Sequence, residues 1–418
     1  MLDDGTNLGP TKMAEATADP KVTYERLAWA ADWHVREETY QRAVAEVVNA
    51  HYRLPFSRTW GAGTISSSDG QVFFAGGPKD ALSQPNAKYG RDRGVAFYTH
   101  VSDQYAPFYS RVINTTVRDA NHVLDGLLYH ESDLDIAEHH TDTEGFTDQV
   151  FGSTHLLGYR FAPRIRNMKK TKLFSMRKPS RYPNLATLIG GTVKVKDIRA
   201  NWDEVLRLMA SIKSGTVTAS LILKKLANYP RQNGLAKAFR EIGKIERSLF
   251  GLDWYQDLDL RRRVKAGLKK GEARNALAAF FNRLGELRDR SYEDQQGRAS
   301  GLTLLTAEIA LWNAVYLERV VAALRARVEE VADEYLRHLS PLEWEHITLT
   351  GVYQWKLGEN EALGELRPLQ KLSPSPARHS GLCRTRGFGL RADQWTQLTR
   401  RSGRCARTRS TKLSFASV

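Results

Sequence analysis

The sequence predicts an α/β fold, in which a mixed sheet with helices packed on it is followed by a largely helical second half. Residues 52–115 alternate short runs of β-type residues with clusters of Gly, Ser and Pro, the pattern of strands joined by turns. From residue 201 onward apolar residues recur at helical spacing, as in Leu235, Phe239 and Ile242. Strands followed by helices in this order favour a sheet covered by helices.

Each element follows from its local pattern. An apolar stripe that includes Trp29, Trp33, Tyr40 and Val44 predicts one helix over residues 23–51, which Thr23 can cap. The β-type runs predict strands at residues 71–74, 95–101, 108–114, 136–140 and 159–165. Helical spacing predicts helices at residues 117–129, 146–157, 201–263, 262–289 and 302–336, with a basic, proline-broken stretch at 166–200.

Composition and charge narrow the class of protein. The chain has 418 residues and a net charge of +15, which favours a polyanionic partner. Residues 371–418 alone hold eleven Lys or Arg and one acidic residue, so DNA binding by the rest of the chain must be argued from individual sites. No apolar run is long enough to cross a bilayer, and the start of the chain does not resemble a signal peptide. We therefore expect a cytoplasmic protein with no membrane partner.

Two carboxylates occupy positions where strands begin and end. Asp69 lies in residues 66–71 (SSSDGQ), at the mouth of the first predicted strand, and Asp142 lies in residues 139–145 (HHTDTEG), just past the fourth. If these strands are neighbours, the two side chains meet at one edge of the sheet, and a divalent cation relieves their repulsion. Each Asp is also compatible with a turn or a helix cap, so the residues alone leave both interpretations open.

Other site chemistries fit the sequence less well. His139 and His140 are adjacent, so on a strand they face opposite sides and do not chelate zinc together. Cys383 and Cys405 show no zinc-finger spacing, which leaves oxygen ligands for any metal. The residues 61–63 (GAG) lack the third glycine of a dinucleotide loop, and no P-loop or G-x-S-x-G motif is present.

A basic run precedes the carboxylate of Glu272. Its members are Arg261, Arg262, Arg263, Lys265, Lys269 and Lys270. The run is typical either of a solvated helix face or of a helix that contacts DNA phosphates around one carboxylate. For the second interpretation the candidate DNA-binding residues are Arg262, Arg263, Lys265, Lys269 and Lys270.

Several ordered motifs resemble the transposases of the Tn-three family of replicative transposons. They include residues 66–71 (SSSDGQ), 98–107 (YTHVSDQYAP), 155–166 (HLLGYRFAPRIR), 270–278 (KGEARNALA) and 339–351 (LSPLEWEHITLTG). The resemblance covers about residues 5–370. It implies a ribonuclease-H-like core, a mixed sheet interrupted by a large helical insertion and flanked by helices.

The resemblance also implies a DDE set of catalytic and metal-binding carboxylates, Asp69, Asp142 and Glu272. They are 73 and 130 residues apart along the chain, and the helical insertion at residues 166–260 accounts for the longer spacing. The implied segments are an N-terminal helical part (1–55), the sheet (56–165), the insertion (166–260), the completing helices (261–370) and a basic, disordered tail (371–418).

The implied chemistry is DNA transposition. Two metal ions, Mg²⁺ with Mn²⁺ as an alternative, assist cleavage at the transposon ends and transfer of the freed 3′ end to target DNA. The implied partner is DNA, both ends and target, with a homodimer for the full-length protein and no nucleotide cofactor.

The sequence departs from the family pattern in four places. Family members are more than twice as long, so a truncated transposase is expected, and the tail from residue 372 resembles nothing in the family. Ala62 stands where the family has Asp. Residues 276–281 are two residues short, which rotates the chain after Ala279 by about 200° relative to Glu272. There are two alternatives: a catalytically inactive DNA-binding remnant, and a product that dimerises with intact transposase through residues 302–336.

Overall fold

The computed structural model describes most of the first 354 residues. The described ranges are 1–74, 84–85, 93–116, 119–143, 145–228, 233–282, 286–287, 291–327 and 331–354. The expectation of a disordered tail after residue 370 lies outside these ranges. Within them, no helix combines the length and the apolar character that crossing a membrane requires.

A mixed sheet forms the centre, which confirms the predicted α/β class. Its strands are β1 (Ile65–Phe74), β2 (Gln84–Pro85), β3 (Arg93–Ser102), β4 (Pro107–Asn114), β5 (Glu138–His140) and β6 (Arg160–Phe161). β1 is antiparallel to β3 on one side and parallel to β5 on the other, and β6 extends the parallel part. β2 and β4 both pair with β3 in antiparallel fashion. β1 is therefore an interior strand with partners on both sides.

Strand β1 starts six residues earlier than the sequence predicts. The run Ser66–Ser68 reads as a turn, because serine is common in loops and rare in strands. In the structure all three serines are buried, and Ser66 and Ser68 bond to His139 across the sheet. These tertiary partners satisfy the hydroxyls, so the polar run extends the strand and Asp69 lies within β1 rather than before it.

Helices and a small second sheet make up most of the remaining described residues. The helices are α1 (Leu2–Gly5), α2 (Gly9–Glu15), α3 (Tyr24–His34), α4 (Glu37–Arg53), α5 (Val123–Leu128), α6 (Asp148–Leu156), α7 (Val195–Ala200), α8 (Trp202–Lys213), α9 (Ala219–Asn228), α10 (Gly234–Gln256), α11 (Leu258–Phe281), α12 (Tyr292–Ala326) and α13 (Asp333–Leu336). β7 (Leu173–Ser175) and β8 (Ile189–Thr192) form a parallel pair that the sequence did not predict.

The prediction of a single helix over residues 23–51 is wrong. Thr23 does cap α3, accepting a hydrogen bond from the Arg26 backbone N–H at 3.4 Å. The chain then becomes extended at Val35 and Arg36, and a second helix, α4, begins. Trp29 and Trp33 are 58% and 67% exposed. The buried apolar face therefore belongs to α4 alone, and the two tryptophans are not part of the core.

The sheet separates two apolar clusters. Alternate residues of β3 point to opposite faces, so Phe97 packs with α11 and α12, whereas Tyr98 packs on the other side with α5, α6 and α10. On the second side, α6 and α10 cross in backbone contact at Gly243. A Cβ on Gly243 would lie 1.5 Å from the carbonyl oxygen of Asp148. This crossing joins the helical second half to the sheet.

We expect Gly243→Ala to destabilise the protein by about 3 kcal/mol or more, because the obstacle is backbone that cannot turn aside. Gly297→Ala is the matched control: it is also a helical glycine, but its Cβ would meet nothing within 4 Å. That change should stabilise by about 0.5–1 kcal/mol. Urea denaturation measures the free energy of unfolding of both variants. Equal changes in the two would contradict the close crossing of α6 and α10 at Gly243.

Candidate active site

Asp69 lies within β1, and Asp142 lies two residues past the end of the neighbouring strand β5. β1 and β5 are parallel, with Ser67 opposite His140. Asp69 is two residues beyond Ser67, and Asp142 is two residues beyond His140. The condition that the sequence analysis set, that the two strands be neighbours, is therefore met.

Helix α11 crosses these two strands at very short range. The Ser67 hydroxyl donates a hydrogen bond to the Gly267 carbonyl at 3.0 Å. A Cβ on Gly267 would lie 2.4 Å from His140 Nδ1, and one on Gly271 would lie 3.6 Å from Ser67 Oγ. Since Gly267 has no side chain, the helix can approach the sheet this closely, whereas a Cβ on Gly271 would make an ordinary van der Waals contact. Glu272 follows Gly271 directly and is thereby carried to the same edge.

The carboxylates act on one another electrostatically. The pKa of Asp69 is raised to about 7, first by burial and then by the negative charges of Asp142, Asp119 and Glu272, in that order. The three acidic residues predicted from the sequence thus share one electrostatic environment. Sequence reasoning missed Asp119, which a Cβ on Gly70 would approach to 3.1 Å. It falls at the start of a predicted helix, where an Asp is expected as a cap, so no local signal marked it.

Both oxygens of Asp69 are held by protein donors. The Gly70 backbone N–H donates to Oδ1 at 2.9 Å, and the Asn275 side-chain amide donates to Oδ2 at 3.0 Å. Gln71 in turn donates to the Asn275 carbonyl at 2.9 Å. Asn275 is three residues after Glu272, on the same side of α11. The helix that supplies the third carboxylate therefore also orients the first, a role that the sequence pattern did not reveal.

Arg274 places a cation beneath this cluster. Its side chain is fully buried, and burial lowers its pKa to about 10 while the charge of Asp69 acts in the opposite direction. Its hydrogen bonds are long, 3.4 Å to Thr303 Oγ1 and 3.5 Å to Asn275 Oδ1. A buried guanidinium beside several carboxylates offsets part of their repulsion.

The carboxylates do not converge on one point. The described residues contain no group of three His, Cys, Asp or Glu side chains placed to hold a single metal ion. Asp142 Oδ1 accepts the Gly145 backbone N–H at 3.0 Å. The donor set consists of oxygens alone, and burial together with repulsion between the carboxylates raises the pKa of Asp69. Both features fit a hard divalent cation such as Mg²⁺.

His139 serves the sheet rather than a metal. Its two ring nitrogens lie 2.8 Å from the hydroxyls of Ser66 and Ser68, and Ser68 is 2.6 Å from the Tyr98 hydroxyl. Burial, followed by the charge of His100, holds the pKa of His139 well below its ordinary value. The neutral imidazole thus ties β5 to β1 through the two serine hydroxyls.

The basic run on α11 divides into two kinds of residue. Arg263 makes two hydrogen bonds to Glu138, at 2.9 and 3.1 Å. Lys270 donates to the backbone carbonyls of Trp60 and Asp103, and burial lowers its pKa to about 8. Arg262, Lys265 and Lys269 are exposed, and Arg262 pairs with Asp259 at 3.1 Å. The run is therefore not one uniform phosphate-binding face.

Helix α11 continues past Ala279 and is regular to Phe281. One buried face continues through Gly271, Arg274, Leu277 and Phe281, and Phe281 packs in the same cluster as Leu277. The end of this helix therefore packs against the core, and its rotation relative to the family pattern stays a prediction.

We expect the protein to lose stability as the pH falls from 6.5 towards 4. Burial lowers the pKa of His51 and His100 to about 4, whereas an unfolded histidine titrates near 6.5. The unfolded chain thus binds protons that the folded chain excludes. At pH 5 this lowers the free energy of unfolding by about 2 kcal/mol for each histidine. Urea titrations at several pH values give the number of protons taken up on unfolding. His51→Gln should reduce that number at pH 5.5 by close to one proton, and an unchanged number would contradict the low pKa of His51.

The Asp69 carboxyl should titrate near pH 7 in metal-free protein, and Asp142→Asn should lower its pKa because a repelling charge is removed. Asp69→Asn should stabilise the metal-free protein at pH 8 by about 1 kcal/mol. Carboxyl ¹³C NMR and urea denaturation measure these effects. Asp133→Asn, which alters an exposed carboxylate paired with Arg53, is the control. A pKa of Asp69 near 4 would refute the electrostatic coupling.

Comparison with known proteins places the chain among transposases. The family model described as Tn3 transposase DDE domain matches residues 1–353. The transposase for transposon Tn501 from Pseudomonas aeruginosa is 59% identical over 372 residues, 88% of this chain and 37% of the relative. The transposase for transposon Tn21 from Escherichia coli is 58% identical over 377 residues, 90% and 38%. The transposase for transposon gamma-delta from Escherichia coli (strain K12) is 36% identical over 353 residues, 84% and 35%.

The chain thus spans a little over a third of the length of these curated relatives. The match to the family model covers most of this chain and contains all three predicted carboxylates. The chain belongs to the family of the Tn3 transposase DDE domain.

Proposed function

We propose that this chain is the catalytic part of a DDE transposase, which cleaves DNA at transposon ends and transfers the cut strand to target DNA. The observation that supports the proposal is the placement of Asp69 on β1 and of Asp142 just past the end of the neighbouring strand β5, with Glu272 on α11, which crosses both strands. The pKa of Asp69 is raised first by burial and then by the charges of neighbouring carboxylates, Asp142 and Glu272 among them, which agrees with that proximity. We propose further that the core is ribonuclease-H-like, for which the order β4–β3–β1–β5–β6 and its strand directions are the support.

Asp69, Asp142 and Glu272 would hold the metal, two Mg²⁺ ions in this proposal, with Mn²⁺ as an alternative. When bound, such ions activate an oxygen nucleophile and stabilise the leaving oxygen. The protein's own contribution is positioning. Gly70 and Asn275 fix the orientation of Asp69 through its two oxygens, and an oriented carboxylate loses less entropy on binding a ligand.

The proposed partner is DNA, both transposon ends and target. The relatives are transposases by name, and no nucleotide cofactor is required because transesterification conserves the number of phosphodiester bonds. In the longer form that the relatives have, we propose action as a homodimer. Arg262, Lys265 and Lys269 stay candidate DNA contacts, whereas Arg263 and Lys270 would have to exchange protein partners for phosphates.

One observation favours a second candidate, an inactive DNA-binding remnant. Within the described residues no three acidic or histidine side chains are gathered closely enough for a single metal ion. If binding of metal and DNA does not draw Asp69, Asp142 and Glu272 together, the fold and the basic surface remain without turnover.

We expect the purified chain to nick supercoiled plasmid with Mg²⁺ or Mn²⁺ but not with EDTA. Asp69→Asn and Glu272→Gln should each reduce the rate at least about 100-fold, because each removes a ligand of the reaction centre. Asp133→Asn, an exposed carboxylate that pairs with Arg53, is the control and should leave the rate unchanged.

The outcomes separate the two candidates. Metal-dependent nicking that needs both Asp69 and Glu272 supports the transposase. Salt-sensitive DNA binding without nicking, from protein with a normal circular dichroism spectrum, supports the remnant.

A further inference from the structure

Residues 164–181, called the basic segment here, are the most one-sidedly charged stretch of the described chain. They contain eight Lys or Arg and no Asp or Glu, although the whole chain has 62 basic and 47 acidic residues. The segment begins just after β6 and contains β7. The sequence alone marked this region as basic and broken by prolines, with no function assigned.

The cations of the basic segment face solvent. Seven of them are exposed: Arg164, Arg166, Lys170, Lys172, Arg177, Lys178 and Arg181. Within the described part of the chain none of the seven forms an ion pair, and Lys172 alone has a side-chain hydrogen bond, to the Thr187 carbonyl at 2.7 Å. Like charges held together without counterions repel, and a bound polyanion relieves that repulsion.

The neighbouring acidic residues are already paired. Helix α10 carries Glu241, Glu246 and Asp253. Glu241 lies 2.5 Å from Lys244, Glu246 lies 3.1 Å from His155, and Asp253 lies 3.3 Å from Arg160. The helix against which the segment packs therefore does not neutralise it.

The backbone of the basic segment is fixed at three points. Arg164 N–H donates to the Thr141 carbonyl at 2.8 Å, and the Thr143 hydroxyl donates to the Arg164 carbonyl at 3.0 Å. Thr141 and Thr143 flank Asp142. The first cation of the basic segment, Arg164, is therefore held by its backbone to the loop that carries Asp142.

Farther along, α10 holds the segment. The Tyr255 hydroxyl donates to the Met168 carbonyl at 2.7 Å, and the Phe174 N–H donates to Ser248 Oγ at 2.7 Å. A fixed backbone with solvated cationic ends presents charges to a ligand at little cost in main-chain entropy.

We propose that the basic segment binds the phosphate backbone of the DNA duplex adjoining the phosphodiester at Asp69, Asp142 and Glu272. The choice of DNA over other polyanions rests on the proposed function, because the segment begins at the Asp142 loop. On α11, by contrast, Arg263 and Lys270 are engaged with Glu138 and with backbone carbonyls. The segment, and not the α11 run, then supplies the larger share of phosphate contacts.

The test is DNA binding in EDTA, measured by fluorescence anisotropy with a 30-base-pair duplex over a salt series. Arg164→Gln/Arg166→Gln/Lys170→Gln and Arg177→Gln/Lys178→Gln/Arg181→Gln each remove three charges. Lys213→Gln/Lys224→Gln/Lys225→Gln removes three exposed charges from α8 and α9 and is the matched control.

Each segment variant should bind at least about 10-fold more weakly at 0.1 M salt, and the slope of log K against log salt should become shallower by about 2–3. The control should change affinity less than about 3-fold. Segment variants that match the control, or a wild-type chain that does not bind DNA, would overturn the proposal. The proposal would also be overturned if the segment variants lost more affinity for vesicles of anionic lipid, or for duplex RNA, than for duplex DNA.

The result is independent of catalysis. Because EDTA removes the metal, a chain that never nicks plasmid can still show segment-dependent binding. Conversely, Asp69→Asn should bind the duplex in EDTA at least as tightly as wild type, so failure of the proposed function and failure of this inference are distinguishable.

Discussion

The close approach of α11 to the β1–β5 pair is the contact on which the rest of the site depends. Gly267 has room for no more than a hydrogen, since a Cβ would lie 2.4 Å from His140 Nδ1. The Ser67 hydroxyl fastens the same turn of helix through the Gly267 carbonyl. This packing brings Glu272, 130 residues after Asp142, to the edge where Asp69 and Asp142 lie. A side chain at Gly267 would displace either His140 or the helix that carries Glu272.

Holding these acids together costs electrostatic free energy, which the fold offsets with buried hydrogen bonds and one cation. The Asn275 amide and the Gly70 N–H stabilise Asp69, and Arg274 lies in the interior beneath it. Burial and the remaining repulsion keep the pKa of Asp69 high. Active sites commonly hold such destabilising arrangements because a ligand relieves them. Here the relieving ligand would be a divalent cation.

Positive charge has two different uses in this chain. Arg263 and Lys270 hold α11 against β5 and the loop before β1, and their charge is satisfied inside the protein. The seven cations of residues 164–181 whose side chains the structure describes are exposed and have no acidic partner among the described residues. In sequence the two groups look alike, since both are runs of Lys and Arg. Only the partners found in the fold separate a structural cation from one available to DNA.

The sequence by itself determined the α/β class and strands β3 and β4, and its motifs named three candidate carboxylates, because residue patterns and motifs are local. It misplaced the start of β1 and joined α3 to α4, since the buried serines and the exposed Trp29 and Trp33 depend on distant partners. Asp119 and Asn275 reach Asp69 only through the packing of the chain and carry no motif of their own. Tertiary structure decided these points because burial and hydrogen-bond partners are properties of the folded chain, not of a segment.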